Sequence, residues 1–171
     1  IFKSINRLSG ILWGDNTNAI AIDYWVKNRN EKTYLFNPSN VNQEPKIIYD
    51  RNYQDRYSDP GSFLTERNIY NKNVLKIESN SLILIGDGYS KKGQFPFIDK
   101  LSLNDFSSNR IYKSSYTDKL EDILDFDIKK NQLLVRIESK SDYPNYYFKS
   151  LNGRRINKIT DFKNPFDNLN L

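Results

Sequence analysis

An all-β fold is predicted by three observations: aromatic residues make up 14% of the chain, asparagine is abundant while alanine is nearly absent, and short apolar runs recur between polar turns. This balance disfavours long helices and suits short strands joined by Asn, Asp, Gly and Ser. At 171 residues the chain is long enough for one domain and short for two.

The strands follow in order. Gly10 to Gly14 reads as a first short strand closed by the turn Asp15 to Asn18, and Ala19 to Val26 as a second, strongly β-favouring run. The polar cluster Lys27 to Lys32 turns the chain into Thr33 to Phe36, Asn37 to Asn40 closes that strand, and Pro45 to Tyr49 completes a set of four. The order then returns. A second round runs through Val74 to Ile77, Leu82 to Gly86, Pro96 to Leu101 and Arg110 to Tyr112, and a third through Asp122 to Phe126, Gln132 to Ile137, Asn145 to Lys149 and Ile156 to Ile159.

The second strand of each round is continuously apolar and ends near an acid, Asp23, Asp87 or Glu138, so both of its faces are expected to be covered. Second strands recur about every 50 to 60 residues, close to the roughly 40 to 50 of propeller blades once an insertion is allowed for. The reading is a partial β-propeller of about three four-stranded antiparallel blades, spanning 8–50, 73–114 and 119–162. A loop is inserted at 50–72, and 163–171 forms a connector. A sandwich of two facing sheets is the competing arrangement. Three blades do not close a ring, and the sequence opens on Ile1 rather than Met, so a piece of a longer protein is expected.

The most individual stretch is the loop from Asp50 to Ser62. Its alternating acids and arginines, separated by tyrosines, are expected to pair and stack within the loop, with Asp50, Asp55, Tyr57 and Asp59 among the residues that fix it. Pro60 and Gly61 supply a turn by fixing φ and by permitting positive φ.

Net charge is +5, yet lysine and arginine are scattered among 21 acids, and no clustered basic stripe marks a nucleic-acid interface. The chain contains no histidine and no cysteine, so neither a Ser-His-Asp nor a Cys-His apparatus, nor a His-bearing zinc site, can be assembled from it. No metal or cofactor is expected. No apolar run reaches the ~20 residues of a membrane helix.

The text from Asp50 to Ser62, together with Gly86-Asp87-Gly88-Tyr89-Ser90, Pro96 to Asp99, Tyr143 to Tyr147 and Ile159 to Phe162, resembles the propeller region of the glutamyl endopeptidase branch of the prolyl oligopeptidase (S9) family of serine peptidases. The resemblance runs from about Leu12 to Phe166. It implies a parent enzyme that cleaves peptides, in which a propeller restricts entry to an α/β-hydrolase domain following this segment, helps select substrates and supplies no catalytic residue. The same likeness implies that 163–171 leads toward that domain. Because bacterial relatives are often exported, it also implies a periplasmic or secreted parent.

If this region reads an acidic substrate side chain, Arg51, Arg56 and Arg67 are the candidates, because a guanidinium matches a carboxylate in fork geometry. The opposing expectation is that Asp50, Asp55 and Asp59 consume these arginines internally. Glu121, Asp122, Asp125 and Asp127 read as a solvated strand entrance rather than a catalytic pair. Tyr143, Tyr146, Tyr147 and Phe148 read as cross-strand packing, and Trp13 and Trp25 as core anchors. A free-standing binding module for peptide or carbohydrate is the alternative function. A Gly-x-Ser-x-Gly elbow encoded past Leu171 would separate the two.

Overall fold

A computed structural model describes residues 3–166. It is all-β, with no helix among the described residues, and its larger sheets are antiparallel ladders. Predicted residues 167–171 of the connector lie outside the described residues.

The first sheet has the order β1-β2-β3-β4, from β1 (Arg7–Trp13), β2 (Ala19–Trp25), β3 (Asn30–Phe36) and β4 (Lys46–Asn52). Each strand pairs with the next, and bulges fall between Leu8 and Gly10 and between Thr33 and Tyr34. Short chain connections between successive strands favour this meander.

The middle of the chain is more broken: β5 (Ser62–Phe63), β6 (Thr65–Arg67), β7 (Asn73–Leu75), β8 (Ile77–Glu78), β9 (Ser81–Gly86), β10 (Tyr89–Ser90), β11 (Gly93–Gln94), β12 (Phe97–Ser102) and β13 (Ser108–Lys113). Here the sheet order is β13-β12-β9-β5, with β8 also pairing β9, while β6 pairs β7 and β10 pairs β11 as separate ribbons. The expected first strand, Val74 to Ile77, is therefore split at Lys76 between two ladders. The edge position falls instead to Ser62–Phe63, inside the stretch read as an inserted loop. Leu64 fixes this exchange by donating its amide to the Ile83 carbonyl and accepting from the Lys76 amide. Ser79 and Asn80 both take positive φ in the two-residue turn from β8 to β9, as a type I′ hairpin requires.

A third sheet repeats the simple order with β14 (Leu120–Asp127), β15 (Gln132–Glu138), β16 (Asn145–Ser150) and β17 (Ile156–Lys158). Its first strand is again bulged, between Ile123 and Asp125.

The chain divides into two compact units, one running through Leu84 with Lys100–Asn109 added, the other Ile85–Asp99 with Arg110 onward. In the first unit, Ile20, Leu75, Leu82, Leu84, Leu101 and Leu103 form the core, and Leu12, Ile22, Leu35 and Phe63 pack against it. In the second, Ile98, Phe126, Leu133 and Val135 are the most deeply buried apolar side chains.

Burial corrects several expectations. β2 and β9 are covered on both faces, but β15 alternates, with Leu133, Val135 and Ile137 buried and Leu134 and Arg136 half-exposed. A charge at Arg136 keeps that face wet. Trp13 and Trp25 are not core anchors: they are 53% and 48% exposed at strand ends, while the buried strand interior is filled by the small Ala19 and Ala21 beside Ile20. Trp13 instead meets Phe36 edge to face.

Gly86 and Gly88 have a steric reason. A Cβ at Gly86 would lie 2.4 Å from the Phe97 ring, and one at Gly88, whose φ is +65°, would lie 1.9 Å from the Phe95 carbonyl oxygen.

Candidate functional site

The loop after β4 is tied down by one arginine. Arg51 lies within β4 with only 12% of its side chain exposed, and its Nη2 donates to Asp59 Oδ2 at 2.8 Å. Its Nη1 donates to the carbonyls of Asp55 (3.1 Å) and Asn52 (3.3 Å), while Nε stands 3.4 Å from Glu31 Oε1 as an ion pair without hydrogen-bond geometry. Asp59 also accepts from the Gly61 amide at 2.8 Å, and Gly61 takes φ +88° after Pro60.

The remaining members of the stretch divide by role. Asp55 accepts from the Tyr57 amide at 3.0 Å, and hydrogen bonds from Ser58 and Tyr57 hold its carboxyl below the usual range. Asp50 turns the other way, to Lys32 across the β3–β4 ladder and to Asn30 Nδ2 at 2.6 Å, so hydrogen bonds from Lys32 and then Asn30 lower its pKa. Tyr57 leaves its ring exposed. Arg67 is spent on the β6–β7 turn, its Nη1 donating to Asn71 Oδ1 (2.8 Å) and to the Asn71 carbonyl (3.2 Å). Within the stretch, Arg51 and Asp59 meet as an ion pair; elsewhere the Arg110 guanidinium stacks over Phe97, 3.8 Å from the ring centre.

Two buried acids were missed or misread in the sequence. Asp23 is fully buried and held by neutral donors: the Asn6 amide at 2.8 Å, Asn6 Nδ2 at 3.0 Å and Tyr34 OH at 2.9 Å. Burial, then the hydrogen bond to Asp23, pushes the Tyr34 phenol up to about 12. Glu121, expected at a solvated strand entrance, is 1% exposed. It accepts from Tyr112 OH at 2.7 Å and from Lys149 Nζ at 2.8 Å, and Lys149 also donates to Tyr112 OH at 2.7 Å and sits over the Tyr116 ring. Residues 112, 121 and 149 lie on three different strands, so nothing local in the sequence marks the group.

Beside it, Asp122 pairs with Arg136, whose Nη2 and Nε reach Asp122 Oδ2 at 2.6 and 3.1 Å and whose Nη2 stands 3.6 Å from Glu138. Glu138, the acid expected near the end of the third round's second strand, is thus a half-exposed partner of Arg136.

A polar cavity of about 380 Å³ opens at the end of the third sheet where β15 turns into β16 and the chain leaves β17. Asn145 builds its floor. This buried side chain donates to the carbonyls of Tyr143 (3.0 Å) and Phe162 (3.1 Å) and accepts from the Phe162 amide (2.7 Å) and Thr160 Oγ1 (2.9 Å). Tyr146 meets Phe162 edge to face below it. Tyr143 and Phe148, expected in packing, are 43% and 42% exposed, while Tyr146 and Tyr147 are half-buried. Among the described residues no group of His, Cys, Asp and Glu is placed to hold a metal ion.

Comparison with known proteins adds a likeness to two peptidases. The chain is 29% identical over 178 residues to a probable chloroplastic glutamyl endopeptidase of Arabidopsis thaliana, a match covering 95% of this chain and 18% of that protein. A probable chloroplastic glutamyl endopeptidase of Oryza sativa subsp. japonica matches at 29% over 177 residues, covering 95% of this chain and 19% of the relative. The chain thus spans about a fifth of the length of the curated relatives it matches. No family model matches, and no solved structure matches.

Proposed function

We propose that this chain is the non-catalytic β-propeller portion of a prolyl-oligopeptidase-like (S9) serine peptidase of the glutamyl endopeptidase branch. One observation carries the reading: nearly the whole chain aligns with about a fifth of two peptidases, and the chain itself contains neither histidine nor cysteine from which to build a charge-relay nucleophile. The three sheets act as successive blades, and together they restrict access of peptides to an α/β-hydrolase domain of the same polypeptide. The order β1-β2-β3-β4, repeated as β14-β15-β16-β17, supports the blade reading because each sheet is a meander that begins and ends on its own edges.

On this reading the segment contributes substrate selection rather than bond cleavage. Arg51, Arg56 and Arg67 are the residues proposed earlier to read an acidic side chain. The engagement of Arg51 with Asp59 and of Arg67 with Asn71 favours a loop-fixing part for these two. Substituting each arginine and comparing cleavage of Glu- and Leu-containing peptides decides the matter, since equal losses for both peptides remove the recognition role.

The function is tested on the longer natural polypeptide, by assaying cleavage of a short peptide and of the same sequence inside a folded protein. The expected result is cleavage of the short peptide alone. A variant lacking residues 3–166 is expected to lose that discrimination. A natural polypeptide that ends at Leu171 and binds peptide or carbohydrate without cleavage would establish a free-standing module instead.

A further inference from the structure

We propose that a second cavity, at the opposite end of the third sheet where β14 turns into β15 and β16 into β17, binds the phosphate group of a phosphate monoester, soluble or carried on a lipid headgroup. It measures about 620 Å³ and lies wholly within the second compact unit. Lys130, Arg154 and Arg155 line it, and no acid does among the described residues. Lys130 is met at 3.3 Å by Asp127 on its own turn, outside the lining. The two arginines differ. Among the described residues neither guanidinium has a hydrogen-bond or ion-pair partner, whereas those of Arg51, Arg67, Arg110 and Arg136 are each spent on a carboxylate or carbonyl oxygen.

The backbone around these cations is fixed before a ligand arrives. The Leu151 amide donates to the Asn131 carbonyl at 2.8 Å and so ties the two turns together. Within the second turn the Ser150 amide donates to the Arg155 carbonyl and the Gly153 amide to the Ser150 carbonyl, each at 2.8 Å, with Gly153 at φ +71°. Asn152 Oδ1 accepts from Ser150 Oγ at 2.8 Å and from the Arg154 amide at 3.0 Å, while Ser150 Oγ accepts from the Arg155 amide at 2.9 Å. Both arginines therefore start from a held backbone, and binding has only their side chains left to order. The same bonds leave Asn152 Nδ2 without a partner among the described residues, as is the Asn131 side-chain amide. Guanidinium and amide N–H groups can only donate, and a phosphate monoester, with three terminal oxygens and nearly two negative charges, takes up more of them than a carboxylate does. Ile111 and Leu151 add apolar surface for the group that bears the phosphate, and the volume suits a phosphate with a small attached group rather than a folded partner. Neither the charge of this cavity nor its turns depend on the peptidase reading.

The test is a calorimetric titration of the natural polypeptide at low salt with glycerol 3-phosphate and with malonate, a dicarboxylate of the same charge. The phosphate ester is expected to bind about fivefold or more tightly than malonate, and less tightly as salt is raised. Arg154→Gln and Arg155→Gln, made separately, are each expected to weaken that binding about fivefold with an unchanged melting temperature, as suits exposed turn residues. Lys140→Gln, on the turn at the other end of β15, is expected to change neither. Sedimentation with vesicles of phosphatidylcholine, with and without phosphatidic acid, separates the two sources. Tighter binding to the phosphatidic acid vesicles than to glycerol 3-phosphate assigns the site to a lipid headgroup, and binding of the soluble ester alone assigns it to a free phosphate; either result supports the proposal. No saturable binding of either form, equal binding of malonate, no effect of either arginine substitution, or a single-stranded oligonucleotide bound more tightly than both phosphate monoesters overturns it.

Discussion

In the first and the third sheet alike, the opening residue of the third strand is an asparagine that binds the end of the fourth strand or the chain just past it. Asn30 donates to Asp50 and to the Arg51 carbonyl, and Asn145 holds Thr160 and Phe162. Beyond that shared clamp the two ends part. After β4, Arg51 reaches along the departing loop and closes it on Asp59, so its charges are satisfied internally. At the end of β17 and just past it, Lys158 and Lys163 share Asp161, so lysines rather than an arginine meet the acid at this position. One clamp can therefore support either a loop closed by an arginine or an open cavity lined by lysines.

The sheets also solve the burial of an acid differently, and this gives the largest expected effect. Asp23 rests on neutral donors, whereas Glu121 rests on the Lys149 ammonium and one phenol. Lys149→Met strands a buried carboxylate and is expected to cost about 3–5 kcal/mol of unfolding free energy in urea. Adding Glu121→Gln should recover a substantial part of that loss; a double variant as unstable as the single one contradicts the coupling.

Asn145→Ala comes next, at about 2–3 kcal/mol, because it abandons buried donors and acceptors on the departing chain. Hydrogen exchange at the Phe162 amide should accelerate at the same time. An Asn30→Ala variant with no loss of stability would contradict the clamp shared by the two sheets. Arg51→Ala is expected to cost about 1–2 kcal/mol and to loosen the loop, read as faster proteolysis between residues 53 and 61. An unchanged cleavage rate would show that the arginine does not seal that end.

The smallest effect concerns Tyr34, whose replacement by Phe should cost about 1 kcal/mol. Its pKa is raised from 10.0 to about 12 in the folded protein, so its contribution is fully present below about pH 10 and is lost as pH rises through about 12. The difference in stability between wild type and Tyr34→Phe should accordingly shrink over that window, and a constant difference would contradict the assignment.

Strand rhythm made much of this fold legible in the sequence. The apolar runs around Ile20, Leu84 and Val135 mark the second strands, and the polar turns between them fix the antiparallel order. Where the text misled, the deciding contacts were distant. Ser62–Phe63 is too short to show alternation, and only its pairing with β9 makes it an edge strand. Lys149 was hidden because its partners Tyr112 and Glu121 are 37 and 28 residues away. Of the candidate site, the self-pairing of Arg51 and Asp59 could be read from residue type and spacing. The cavity beside Asn145 could not, because its lining comes from two turns separated in the sequence.

The most direct measurement is labelling of the longer natural polypeptide with a serine-directed fluorophosphonate, followed by mass spectrometry of the modified peptide. The account predicts a single reactive serine outside these 171 residues, in a polypeptide that cleaves peptides. A modified serine within them, or a polypeptide that neither reacts with the probe nor cleaves peptides, would contradict it.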